Sequence, residues 1–558
     1  MDPGQRYSFD LNGWLTIPQA LSPAELAAAQ AAAATLLDAS EPFRHIDHPA
    51  LAGLPFHPKL WPIVLELTNG KPMMRHSFGI HNPPLEAGAQ PGQGSPLHCN
   101  RESHRSSIFG SPSLARYEVR SGRPYCTDFV CFVYLDAVQP GDGGLLVIPG
   151  SFKSQFERPA EMFGAYGRAN AEPPEGIAPR GHQRPPPGRE WGLPEHAQNL
   201  CPAAGDIVVM AEGTSHAGMP WLSADRHRRA LALRFKPQHT GLPDDNLDEA
   251  AVLALPPELR ELRASAGASH AKAIATMPLP IVLSPPAPGS QPLADTERCA
   301  AKYLKTEPAD QDVMWQYPPA PVGRRPGSIG LTEEQRYLFD LNGYLHLRGV
   351  LSSLELEAAR AAVSEYVAHS SGGADSPSPP LPDGFDAPEG GRGNFPNGFA
   401  FSPALGALAW HPKLRNAILE LTDGKPKLSS GTLMVQDSSY GGGGLHCARE
   451  DHGWDSAGWE VVAGRCHCDN FVVFPYLDTV QEGDGGLVVL RGSHKANFER
   501  PGQTGSDLPH LYECSPEMWA ERGLPPGAVN VAPVAAGDVL ILPEATVRLC
   551  LSLSYHCH

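Results

Sequence analysis

The residues with the most chemical potential stand in a phrase that the chain uses twice: SPLHCNRESH at 95–104 and GGLHCAREDH at 443–452. His98 and His446 carry imidazoles, which bind metals or move protons near neutral pH. Residues two apart on a strand share a face, so Asn100 is placed to meet one ion together with His98. Its amide is a neutral oxygen donor, weaker than a carboxylate. Glu102 shares that face but lies four residues on, roughly 13 Å away in an extended strand. It reaches the same ion only if the chain bends after Cys99. The second phrase has Ala448 where the first has Asn100, so it offers no donor there. The ordinary alternatives are a buried, hydrogen-bonded histidine for His98 and a strand-end residue for Asn100. Glu102 recurs as Glu450, which suits a structural role shared by both phrases.

Two further motifs are weaker. Cys466, His467 and Cys468 form a CHC triplet whose two thiols share a strand face, but no second ligand pair follows at zinc spacing. The GDGG turns at 141–144 and 483–486 have the look of phosphate cradles. They lack the helix and the Lys–Ser/Thr that such loops need, and read as hairpin turns.

The elements that must position these residues also come twice. QRYSFDLNGWL at 5–15 returns as QRYLFDLNGYL at 335–345, and HPKLWPIVLELTNGKP at 57–72 as HPKLRNAILELTDGKP at 411–426. GDGGLLVIPGSFKSQFERP at 141–159 matches GDGGLVVLRGSHKANFERP at 483–501 at 13 of 19 positions, far above chance. A repeat this long is a duplicated domain rather than a solenoid unit. Pro-rich residues 276–330 join the copies as an extended spacer. The domains are therefore 1–275, a linker at 276–330, and 331–558. A Pro/Gly-rich insertion at 171–192 reads as a surface loop of the first copy. SPAE at 22–25 and SSLE at 352–355 are capping boxes that open helices. Further helices end at Gly70 and Gly424. Short β-rich runs follow at 128–136, 143–151, 205–213 and 229–237. Helices followed by many short strands give a helix-backed β-sandwich or jelly roll.

The order of pieces in the first copy resembles the phytanoyl-CoA dioxygenase family of iron(II)- and 2-oxoglutarate-dependent oxygenases. The pieces are the capped helix with its NG-W/Y-L start, the early histidine, YLDAVQPGDGGLLVIPGSFK, a GD before a strand, EGTSHAGMPW, and RRALALRF. The resemblance implies an α+β, mainly β fold: two tandem double-stranded β-helix (jelly-roll, cupin-like) domains, each backed by N-terminal helices. It implies Fe(II) and 2-oxoglutarate as cofactors. Its metal set is two histidines and a carboxylate, which leaves open positions for oxoacid and O2. Carried over, the ligands are His98, Asn100 at the carboxylate position (with Glu102 as the alternative third ligand) and His216. Arg228, a dozen residues after His216, takes the distal carboxylate of 2-oxoglutarate in a bidentate grip, and Ser223 assists it. The ordinary alternative for Arg228 is a surface cation in the run DRHRR.

The second copy departs from this pattern. His446 aligns with His98, but Arg548 stands where His216 is expected. A neighbouring class of oxoacid-dependent halogenases also carries His-x-Ala, yet it needs that second histidine. After about Val547 the chain reads as foreign to the domain, from an unspliced intron or a frameshift. The last strand, the Pro-Trp segment and the oxoacid arginine are expected to be missing, and the second copy to be inactive.

Bulk properties narrow the partners. A formal net charge of −17 and the lack of a basic stripe argue against nucleic acid and anionic membranes. No apolar run approaches a membrane span. The 11 scattered cysteines and the lack of a secretory leader point to reduced thiols and a cytoplasmic location. The reading is a hydroxylase that uses O2 on an unidentified small-molecule substrate through the first copy. The competing reading is a non-catalytic pseudo-oxygenase that kept the fold as a binding module.

Overall fold

The computed structural model describes residues 1–38, 49–89, 94–95, 97–99, 115–156, 158–159, 196–238, 262, 330–370, 381, 385, 393–436, 445–453, 456–462, 464–481, 484, 486–500, 528–530, 534–549 and 553–557. The chain divides into two compact units. One holds Met1–Lys153 and Ala160–Trp315; the other holds Ser154–Pro159 and Gln316–His558. The 171–192 insertion, Asn100, Glu102 and all of 276–330 except Gly330 lie outside the described residues.

The first unit opens with α1 (Pro3–Asn12), β1 (Trp14–Ile17), α2 (Pro23–Asp38), α3 (Pro49–Ala52) and α4 (Trp61–Leu67). Local chemistry explains these helices. Asp2 caps α1 through the Gln5 N–H, Gln5 returns the bond to the Asp2 N–H, and Pro3 fills the first turn. Ser22 and Glu25 form the box that opens α2. Past α4 the Gly70 N–H bonds back to the Leu65 carbonyl in a left-handed stop. The strands described in this unit are β1 above, then β2 (Pro72–Asn82), β3 (Tyr117–Arg120), β4 (Arg123–Cys126), β5 (Phe129–Tyr134), β6 (Gly144–Val147), β7 (Gln198–Leu200), β8 (Ile207–Ala211), β9 (His216–Met219) and β10 (Arg228–Pro237). All four strands expected from the sequence are present.

The strands form antiparallel sheets. The larger has order β1-β8-β5-β10-β2, the smaller β7-β6-β9, and β3-β4 is a separate ribbon. Side-chain alternation sorts the larger sheet into two faces. Cys131, Val133, Ile207, Val209, Leu231 and Leu233 pack with the helices. Phe132, Tyr134, Val208, Met210, Ala230 and Ala232 pack with Leu145, Val147 and Leu200 of the smaller sheet. A buried apolar layer therefore lies between the sheets.

The second unit contains α5 (Glu333–Asn342), β11 (Leu345–Leu347), α6 (Ser353–Ser370), β12 (Gly393–Phe395), α7 (Pro403–Ala409), α8 (Pro412–Leu421), β13 (Pro426–Ser430), β14 (Leu433–Val435), α9 (Ala448–His452), β15 (Trp459–Val462), β16 (Arg465–Cys468), β17 (Asn470–Pro475), β18 (Val488–Leu490), β19 (Ala528–Asn530), β20 (Val539–Pro543), β21 (Arg548–Leu549) and β22 (Leu553–Cys557). Its larger sheet has order β11-β20-β17-β22-β13. Ser352 and Glu355 form the expected box before α6.

One expectation is corrected here. The last strand is not missing: β22, drawn from the tail, lies between β17 and β13, as β10 lies between β5 and β2. Tyr555 opposes Phe471 as Phe235 opposes Phe129. A strand slot between two partners asks only for extended backbone and tolerant alternation, so unrelated sequence can fill it. The connection from Arg548 to β22 is short, so the segment matching the Pro-Trp loop and Arg228 has no counterpart. Among the described residues, no helix is long and apolar enough to cross a membrane.

Candidate functional site

His98 and His216 meet across the smaller sheet. They form an antiparallel bridge in which each N–H donates to the other's carbonyl at 2.9 Å. His216 also sits directly opposite Val147 of β6. Directly opposed residues share a face, so both histidines face the layer that Val147 lines. Their ring centroids are 4.3 Å apart, and the residues are 9% and 8% exposed. His216 Nδ1 lies 2.7 Å from the Thr214 carbonyl. A carbonyl only accepts, so Nδ1 donates and Nε2 keeps the lone pair that a metal needs. Burial, followed by the neighbouring His98, pushes the His216 pKa down to about 3. The ring is therefore neutral at physiological pH, the form that ligates.

Arg228 starts β10 on the same inner face, in phase with Ala230 and Ala232. It is 8% exposed, which rules out the surface-cation reading. Its neighbours show what is unusual about it. Arg226 is paired with Asp142, Arg229 with Asp136, and Arg234 with Asp128. Arg228 has no carboxylate partner among the described residues. Its guanidinium is met by the Tyr134 hydroxyl and, at 3.5 Å, by Asn82 Oδ1. Its buried Nε finds no hydrogen-bond acceptor among them. A buried guanidinium without an anion is costly, and the arrangement suits a bound carboxylate. A Cβ placed on Gly144 would lie 3.9 Å from Arg228 Nε, so the guanidinium reaches the start of β6. His216 pairs with Val147 at the other end of β6, roughly 10 Å along the strand. A metal and a short dicarboxylate fit that span.

Ser223 is placed differently from expectation. Its hydroxyl donates to Asp225 at 2.8 Å and accepts from the Arg226 N–H at 3.2 Å. These bonds close a local turn and leave no donor for the oxoacid. Sequence reasoning missed Tyr134, Asn82, Thr214 and the Asp142–Arg226 pair. Alternation along β5 puts Tyr134 on the inner face with Phe132, but nothing local reveals its partner.

In the second unit His446 and Arg548 form an antiparallel bridge like that of His98 and His216, each N–H donating to the other's carbonyl at 2.9 Å. The Arg548 guanidinium pairs with Glu544, the counterpart of Glu212. In the first unit Glu212 faces Arg234. In the second unit Ser554 holds the register position of Arg234, opposite Val472 as Arg234 is opposite Val130, and Arg548 supplies the cation to Glu544. Glu450 is gripped by Arg500 at 3.0 and 2.8 Å. The chain there turns helical at Ala448, immediately after the bridge. The strand expected to continue past the histidine does not exist in this copy. Cys466 and Cys468 are buried, and burial pushes both thiols up, away from the thiolate that zinc requires. Among the described residues, no group of three His, Cys, Asp or Glu is placed to hold a metal ion.

No family model matches the sequence, and no curated protein matches it. Among solved structures, HygX from Streptomyces hygroscopicus, with nickel and 2-oxoglutarate bound, is 20% identical with a TM-score of 0.32. That alignment covers 42% of this chain and 87% of HygX. The epimerase SnoN, in complex with Fe3+, alpha-ketoglutarate and nogalamycin RO, is 18% identical with a TM-score of 0.28, covering 44% and 92%. The non-heme monooxygenase ThoJ, as its nickel complex, is 13% identical with a TM-score of 0.26, covering 42% and 77%.

Proposed function

We propose that the first unit is an Fe(II)- and 2-oxoglutarate-dependent oxygenase acting on a small-molecule substrate. The observation that carries this reading is the buried guanidinium of Arg228, with no carboxylate partner among the described residues, on the same inner face as the His98–His216 pair. In this reading His98 and His216 hold the metal, His216 as a neutral imidazole, with Asn100 as third ligand. Thr214 fixes the His216 tautomer. Arg228 binds the distal carboxylate of the oxoacid, with Tyr134 bracing the guanidinium. The apolar layer around the site excludes water. Bound iron with its oxoacid supplies O2 activation. The resemblance to the phytanoyl-CoA dioxygenase family, the duplicated double-stranded β-helix domains and an inactive second unit belong to the same proposal. The family's acyl-CoA substrate is not carried over, since no basic cluster suits a CoA phosphate. The test is turnover of 2-oxoglutarate to succinate by the full chain, with and without Fe(II). Iron-dependent succinate supports the reading, and its lack at saturating Fe(II), oxoacid and O2 returns the chain to a binding module.

A further inference from the structure

The loop that delivers Arg228 is pinned from the GDGG turn. Asp142 closes that turn: its N–H donates to the Gln139 carbonyl at 3.0 Å, and its carboxylate accepts from the Gln139 N–H at 2.8 Å. The same carboxylate receives Arg226 Nη2 at 2.6 and 2.7 Å. The Asp142 carbonyl accepts from the Leu222 N–H at 2.8 Å. Gly143, at φ +97, packs so tightly beneath the loop that a Cβ there would meet the Pro220 carbonyl oxygen at 1.9 Å. Within the loop, the Trp221 indole donates to the Arg226 carbonyl at 2.9 Å. Arg226 is thus held at its side chain, its N–H and its carbonyl, two residues before Arg228.

The second unit supplies an internal control. There Asp484 is bonded to Gln481 through the same two contacts, at 3.1 and 2.8 Å. The loop is lacking there, and Asp484 is exposed while Asp142 is buried. Those two contacts therefore form without the arginine. The Asp142–Arg226 pair serves the loop rather than the turn.

We propose that Asp142 and Arg226 are positioning residues that clamp the 220–228 loop and thereby set the first unit's affinity for an oxodicarboxylate through Arg228. The proposal rests on the reading of Arg228 as the oxoacid's partner. A buried guanidinium gains its specificity from fixed geometry, and a shift of about 1 Å in a positioning group can cost on the order of a hundredfold.

The test uses the full chain as wild type, Asp142→Asn, Arg226→Gln, Arg226→Lys and the Asp142→Asn/Arg226→Gln pair. Affinity for Mn(II) alone, affinity for 2-oxoglutarate in the presence of Mn(II), and melting temperature are measured by anaerobic calorimetry and thermal scans. The clamp predicts a rise in the oxoacid dissociation constant of about tenfold or more in Asp142→Asn and Arg226→Gln, with the double variant no worse than either single. Arg226→Lys, which keeps the charge, recovers part of the loss. Mn(II) affinity stays within about twofold, and KM for 2-oxoglutarate rises while kcat holds within about threefold. Unchanged oxoacid affinity beside a wild type that binds overturns the clamp alone. Joint loss of Mn(II) affinity, oxoacid affinity and melting temperature shows a merely structural pair and also overturns it. A wild type that binds no oxoacid overturns the reading of Arg228 and the clamp with it.

Discussion

His98 and His216 exchange both backbone hydrogen bonds, and their rings sit 4.3 Å apart on the inner face of one sheet. The Thr214 carbonyl fixes the tautomer of His216. The pair is positioned by backbone pairing, so either side chain can be removed while the backbone bonds of the bridge remain possible.

His98→Ala and His216→Ala are each expected to lower Fe(II) affinity by about tenfold to a hundredfold or more, because each removes one of few ligands. Circular dichroism should match wild type. Equilibrium binding of Fe(II) under anaerobic conditions is the measurement, and unchanged affinity in both variants would remove the site.

Asn100→Asp is expected to tighten Fe(II) binding, since it keeps the shape and replaces a neutral amide oxygen with an anionic one. Glu102→Gln is expected to leave affinity unchanged. The guide is Glu450, which is held by Arg500 rather than turned toward His446. The same assay decides: flat affinity in Asn100→Asp with collapse in Glu102→Gln reverses the assignment.

Arg548→Ala is expected to destabilise the second unit by about 3–5 kcal/mol, the range for removing one partner of a buried ion pair. The Arg548 and Glu544 side chains are 5% and 13% exposed, so solvent screens them little. Adding Glu544→Gln should return part of that loss. Denaturant unfolding measures both, and an Arg548→Ala change under about 1 kcal/mol would mean that the pair is not buried in solution.

Asp128→Ala is expected to destabilise the first unit by a similar amount, about 3–5 kcal/mol. It strips the main anion from Arg234, which it grips at 2.7 and 2.8 Å, and from Lys236 at 3.4 Å. Glu212, at 3.4 Å from Arg234, remains as partial compensation. A denaturant midpoint equal to wild type would contradict this.

Much of the fold was legible because its signals are local. The boxes at Ser22–Glu25 and Ser352–Glu355 are encoded within four residues, and the β5, β6, β8 and β10 runs announce themselves by composition. His98, His216 and Arg228 were legible as a set only through their order along the chain. Contacts made across strands were not. Tyr134 meets Arg228 because β5 pairs with β10, and Asp142 meets Arg226 because a turn and a distant loop stack backbone on backbone. The strand expected past the histidine is helix from Ala448 in the second unit, while Asn100 and Glu102 lie outside the described residues. The tail showed the limit from the other side: LSYHC matches nothing in the first copy, yet it fills the strand slot.

The central claim is that His98, His216 and Arg228 together hold Fe(II) and 2-oxoglutarate. The most direct measurement is anaerobic titration of the full chain with both, following the visible metal-to-oxoacid charge-transfer band. The account predicts a band in wild type, a band that needs about tenfold or more oxoacid in Arg228→Gln, and none in His216→Ala. A wild type with no band at saturating Fe(II) and 2-oxoglutarate, or a band indifferent to Arg228→Gln and His216→Ala, would contradict it.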